Sequence, residues 1–301
     1  VDNERRRKRR RKRIMKALIA WAVCILLVGL IAVGTVRVVS SVASSKKRQF
    51  RQDGIEKLVS GDYTGAIEAF DTALEKSGKK SDGFNSDVLG YRAEAEYKLR
   101  DYEAAVHTYG LLLEMKPDTA VYLYAQSMCY AHLGDTDNAI DRYHAGNAVQ
   151  KEDKDEAGRQ EALFAAGGAC VDAGEYEKAM GLYQDAIREG VKHGQVYNQM
   201  GLCQMAEKDY QGALDSFNQG YETFVTGHSL GSGAEPAQAA AALNADARAD
   251  MALLKELVYN RAVAYEYLSE YKKALGLFED YVSVFGPNED AEHEIAFLKT
   301  R

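Results

Sequence analysis

A fourteen-residue phrase, Gly61–Leu74 (GDYTGAIEAFDTAL), sets the grammar of this 301-residue chain, because its skeleton returns five more times. A polar turn leads to an Ala, and an aromatic ring follows four residues later. The Ala stands at Ala66, Ala105, Ala139, Ala179, Ala213 and Ala274. The ring stands at Phe70, Tyr109, Tyr143, Tyr183, Phe217 and Phe278. Successive Ala residues are 39, 34, 40, 34 and 61 apart, so a 34-residue unit recurs with insertions. Spacing of four puts Ala and ring on one helical face. Upstream of each turn a small residue (Gly54, Ala93, Ser127, Gly167, Gly201, Ala262) lets a second helix approach that ring closely. One such hairpin cannot bury its own apolar face, so the units must stack.

The turns read Gly61-Asp62-Tyr63, Arg100-Asp101-Tyr102, Gly134-Asp135-Thr136, Gly174-Glu175-Tyr176, Lys208-Asp209-Tyr210 and Ser269-Glu270-Tyr271. With these turns, the Ala and the ring at this period, the chain resembles the tetratricopeptide-repeat family over about residues 47–301. It departs from the pattern in the closing proline, clear only at Pro117. It departs also in the first-helix Trp, replaced by Phe50, Leu89, Leu123, Leu163, Tyr197 and Val258. The resemblance implies an all-α superhelical solenoid of about six helix-turn-helix repeats, residues 50–288. The repeats fall near 47–80, 86–119, 120–153, 160–193, 194–227 and 255–288, with an insertion at 228–250. Ser81–Asn85 and Lys154–Arg159 read as polar loops, and residues 289–301 as a capping helix with Ala291, Ile295 and Leu298 on one face.

In this family the first helix of each unit lines a concave, polypeptide-binding face. Carried over by position, that face takes Tyr124, Met128 and His132 from the third unit and Phe164 and Asp172 from the fourth. The fifth gives Asn198, Leu202 and Met205; the sixth gives Tyr259, Asn260, Val263 and Tyr267. Aromatic, Met and amide side chains suit an adaptable peptide site. Packing between repeats is the alternative use of the same residues, and periodicity does not separate the two. The family's Lys/Asn/Arg clamp on a terminal carboxylate is matched only by Arg48, Arg51 and Asn260, so capture of that kind is not expected.

The head of the chain has another character. Arg5–Arg13 is nine consecutive cations, and Ala17–Val36 is twenty residues without a charge. As a helix, about twenty residues span about 30 Å, the thickness of a bilayer's hydrocarbon core. Residues 14–39 therefore read as a transmembrane signal-anchor, 1–13 as a basic cytoplasmic tail on anionic headgroups, and 40–49 as a linker. The heavier positive flank places the N-terminus inside the plasma membrane and the repeats outside. Two alternatives stay open: cleavage after Ser41-Val42-Ala43, releasing a secreted solenoid, and a cytosol-facing receptor of opposite topology.

Charge is divided the same way. Residues 1–51 hold 15 Lys+Arg and two acids, whereas residues 52–301 hold 23 Lys+Arg and 43 Asp+Glu. An acidic solenoid disfavours nucleic acid and favours neutral or basic polypeptide partners. Cys24, Cys129, Cys170 and Cys203 show no CxxC or CxxH spacing and read as small apolar residues. The six His are scattered, Gly231-Ser232-Gly233 has no following Lys, and no nucleophile elbow appears. No catalytic residue, cofactor or metal is expected. The reading is a bacterial membrane-anchored scaffold or chaperone-like adaptor of the kind the resemblance implies beside secretion, envelope or division machinery.

Overall fold

The computed structural model describes residues 45–77, 82–149, 158–243 and 247–301, and every regular element among them is an α-helix or a helical turn. They divide into two compact units, parted between Pro117 and Asp118. The first holds α1 (45–60), α2 (Tyr63–Ser77), α3 (Asp82–Leu99) and α4 (Tyr102–Met115). The second holds the hairpins α5 (Ala120–His132) with α6 (Thr136–Val149) and α7 (Arg159–Asp172) with α8 (Tyr176–Arg188). It continues with α9 (Gly194–Ala206) and α10 (Tyr210–Gly227), then short α11 (Pro236–Ala242). The hairpin α12 (Arg248–Tyr267) with α13 (Tyr271–Phe285) and the last helix α14 (Glu289–Leu298) complete it.

Each hairpin is closed by the turn the sequence announces. The first residue of all six turns lies in the left-handed region: Gly61 (φ 87°), Arg100 (66°), Gly134 (73°), Gly174 (74°), Lys208 (67°) and Ser269 (62°). That residue ends the first helix, and the next starts the second. Asp62, Asp101, Asp135 and Asp209 accept from the backbone N–H three residues on, at 3.0–3.2 Å. Such caps contribute about 1 kcal/mol each. Glu175, one methylene longer, instead accepts from the Thr136 hydroxyl of the preceding hairpin at 2.7 Å.

All six recurring Ala residues are fully buried, and so are Phe70, Tyr143, Tyr183, Phe217 and Phe278; Tyr109 is half-buried. The small first-helix residues sit against these rings. A Cβ on Gly54 would lie 2.5 Å from Phe70, and one on Gly167 would lie 2.1 Å from the Tyr183 hydroxyl. Ala93, Ser127 and Ala262 have no exposed surface. Cys129, Cys170 and Cys203 are buried free thiols. Burial pushes the Cys170 and Cys203 thiols up, the latter to about 11, so both stay protonated and inert.

Several boundaries differ from the expectation. Residues 45–49, assigned to a linker, already belong to α1. Residues 82–85, read as loop, open α3, because Phe84 and Val88 supply one turn of apolar spacing onto the first unit's core. Arg159 starts α7 rather than ending a loop. Helix α12 begins at Arg248, inside the expected insertion, because Leu253, Leu254 and Leu257 pack on Tyr221 and Phe224 of the long α10. Helix α11 packs against α12 and α13. At the end, Ala291 and Leu298 of α14 are buried beside Phe278. The basic tail and the segment 14–39 lie outside the described residues; among those described, no helix is long and apolar enough to cross a membrane.

Candidate functional site

The twelve residues assigned to the peptide face all lie on first helices of the second unit, and the structure divides them sharply. Tyr124 and Asn198 have no exposed surface. Tyr124 is core because Gly146 leaves room for its ring on α6: a Cβ there would lie 2.4 Å from it. Its hydroxyl donates to Asn147 Oδ1 at 2.7 Å. Neither side chain faces solvent, which corrects their placement on an open surface. Met128 and Phe164 are half-buried against the cluster built around Tyr143 and Tyr183. Tyr259 packs edge-on against Phe278 and Tyr281 inside its own hairpin, with Val263 beside it. Met205 rests on Ala213 and Phe217. These positions serve packing because a first helix has rings of the second helix on one side and the next repeat on another.

The others remain open to solvent. His132 and Asp172 are exposed at the C-terminal ends of α5 and α7. Leu202 is 39% exposed and Tyr267 57% exposed. Tyr267 stacks on Tyr210 of α10, with ring centres 4.6 Å apart.

Between α9 and α12 the structure assembles a polar relay that includes two of the expected residues. Asn260 Nδ2 donates to Asn198 Oδ1 at 2.9 Å, and Asn198 Nδ2 donates to Glu256 Oε2 at 2.9 Å. Asn198 thus spends its amide on the neighbouring repeat, which fixes α9 against α12. Leaving such a buried amide unpaired would cost about 1–3 kcal/mol. Glu256 was not foreseen. Its position one turn before Asn260, on the same helical stripe, is the sequence signal that could have found it.

Nearby, Arg261 was also missed. Its guanidinium lies 4.4 Å from the Tyr221 ring centre, and its Nε donates to Asn218 Oδ1 at 2.8 Å. Burial pushes the Arg261 pKa down, and burial pushes the Tyr221 phenol up to about 12. The cation is held by a ring face and an amide, which pins α12 on α10. Among the described residues, no three His, Cys, Asp or Glu side chains converge to hold a metal.

The arrangement resembles known repeat proteins. The crystal structure of MamA protein is 19% identical, with 60% of this chain and 92% of that one covered, at a TM-score of 0.48. YrrB, described as a TPR protein with an unusual peptide-binding site, is 17% identical over 78% of this chain and 100% of its own, at 0.46. A tetratricopeptide repeat protein from Parabacteroides merdae ATCC 43184 is 16% identical over 85% and 99%, at 0.47. No curated protein matches the chain. The tetratricopeptide-repeat family model matches residues 54–110 and 91–146. That match spans α2 to α5 and most of α6, whose left-handed turns, caps and ring-on-glycine packing supply the motif's physical content: residues 54–146 carry tetratricopeptide repeats.

Proposed function

We propose that this chain is a protein-interaction scaffold that takes polypeptide partners along the first-helix face of its repeats. One observation carries the reading. The residues that recur from repeat to repeat are consumed by packing, while first-helix residues that differ, above all Leu202 and Tyr267, keep exposed apolar surface. Exposed apolar and aromatic groups in a polar surround are what a peptide face requires. The excess of acids in residues 52–301 favours a partner that is neutral or basic overall.

The test places a photo-crosslinking residue at Leu202, at Tyr267 and, as a control, at exposed Lys272 on the second helix α13, in the full-length chain. Partner adducts at the first two positions and not the third support the reading. Equal yields at all three refute it.

The proposal includes anchoring by residues 14–39, with the N-terminus cytoplasmic and the repeats outside the plasma membrane, on the charge asymmetry around the apolar run. Protease added to intact spheroplasts should digest the repeats. Protection until lysis would indicate the opposite topology, and a mature N-terminus near Ser44 would indicate release.

A further inference from the structure

The second unit has a cleft of about 600 Å³, lined among the described residues by neither Leu202 nor Tyr267, where the start of α7 meets the turn between α8 and α9. Among the described residues, Arg159, Arg188 and Lys192 line it together with one carboxylate, Glu189. This gathering stands out, because residues 118–301 hold 30 acids and only 15 Lys+Arg. Gly158, the N-cap of α7, has φ 88° and offers no side chain to the first turn, so the positive end of that helix dipole faces the same place.

The cations are only partly used. Arg159 lies 3.3 Å from Glu189, which also accepts from Asn147 Nδ2 at 2.5 Å. Arg188 pairs with Asp185 on its own helix and is otherwise exposed. Among the described residues, no ion pair or hydrogen bond occupies the Lys192 ammonium. His193 accepts at Nδ1 from the Gln195 N–H at 3.2 Å and is kept neutral by burial, so it adds no charge.

The decisive group is Tyr143. Its residue is fully buried and lines the cleft, and among the described residues its hydroxyl has Arg159 beside it but no hydrogen bond of normal geometry. The hydroxyl is not required for packing, because Phe70, Phe217 and Phe278 fill the equivalent place in three other repeats. A buried hydroxyl hydrogen with no acceptor is destabilising. A ligand oxygen accepting from it would remove that cost.

We infer that this cleft binds a carboxylate carried by a polypeptide, held by Arg159, Lys192 and Arg188 and by a hydrogen bond from the Tyr143 hydroxyl. The size favours an organic group over a bare ion, since pockets of about 300–1,000 Å³ take molecules rather than single anions. Leu163 and Val191 offer apolar wall for the carbon stem beside the carboxylate. The acidic field of the unit favours one carboxylate on a neutral or basic chain over a polyacidic segment. The inference rests on the reading of the partner as a polypeptide, but it uses different elements from the Leu202–Tyr267 face.

The test uses rhodamine-labelled neutral peptides and the full-length chain, read by fluorescence anisotropy. One peptide has a single Glu and an amidated end, one has a free C-terminal carboxylate, and one is neutral and amidated. A carboxylate peptide should bind about tenfold more tightly than the neutral control, and the tighter of the two identifies the carboxylate's source. The double variant Arg188→Glu/Lys192→Glu should abolish that preference with circular dichroism unchanged. Tyr143→Phe should reduce it about threefold. Equal binding of all three peptides, or a preference that survives either variant, overturns the inference. Because crosslinking at Leu202 and Tyr267 is read separately, failure here leaves the scaffold reading standing, and failure there leaves this site standing.

Discussion

Lys208→Gly should stabilise the second unit, and the structure gives the size of the effect. Lys208 holds φ 67° on the surface, and among the described residues its side chain makes no hydrogen bond or ion pair. Its backbone does what Gly174 does in the preceding hairpin. The Lys208 N–H donates to Met205 at 3.1 Å and Asp209 to Gln204 at 2.9 Å; Gly174 donates to Val171 at 2.9 Å and Glu175 to Cys170 at 2.8 Å. At this position the two turns differ in whether a Cβ must tolerate the left-handed conformation; the residue that follows caps its own helix in one (Asp209) and bonds Thr136 in the other (Glu175). That tolerance costs about 1–2 kcal/mol for an L-residue. Glycine returns about 0.5–1 kcal/mol of this through its greater freedom in the unfolded chain. The net gain is therefore about 0.5–1 kcal/mol, and Gly174→Ala should lose a similar amount. Urea unfolding followed by circular dichroism checks both, as opposite shifts of the midpoint for the second unit. If Lys208→Gly lowered the midpoint, unfolded-state entropy would outweigh turn strain, and the account of all six turns would fail.

Further outcomes follow from the packing. Gly167→Ala should destabilise by about 1–3 kcal/mol through overpacking against Tyr183, while Gly168→Ala, with nothing within 4 Å of its Cβ, should gain up to about 1 kcal/mol; equal effects in thermal melts would contradict the ring-on-glycine contact. In the first unit, Glu96 is 2% exposed, and Arg92 reaches it at 2.5 Å while also bonding Thr108 and Asp71. Burial raises the Glu96 pKa above the ordinary 4.5, outweighing the opposing pulls of Thr108 and Arg92. The folded state then holds the proton over a window in which the unfolded state has lost it, so this group's contribution falls as pH rises through that window. Urea midpoints of wild type minus Glu96→Gln should decline from about pH 4.5 upward; a difference that stays flat or rises would rule the buried carboxylate out as the cause.

Much of the architecture was legible in the chain itself, since each recurring residue has one local job. Asp62, Asp101, Asp135 and Asp209 cap helices, the residue before each takes the left-handed turn, and Ala66 and Phe70 with their counterparts share a buried face. These are short-range requirements, and short-range requirements leave periodic marks. The candidate site was less legible. Tyr124 and Tyr267 occupy first helices alike, yet one is core and the other 57% exposed. What separates them is the neighbour: Tyr124 has Gly146 to receive its ring, whereas Tyr267 meets another surface ring, Tyr210.

Helical hairpins and the places of their turns follow from the order of residues alone, because caps, left-handed turns and small-to-ring contacts act within one repeat. Packing between repeats sets which first-helix side chains face solvent, commits the Asn198 amide to Glu256 and Asn260, and brings Arg159, Arg188, Lys192 and Tyr143 to the lining of one cleft. Those outcomes depend on which repeat packs against which and at what offset. Such contacts join residues as far as 62 positions apart, and no local period records them.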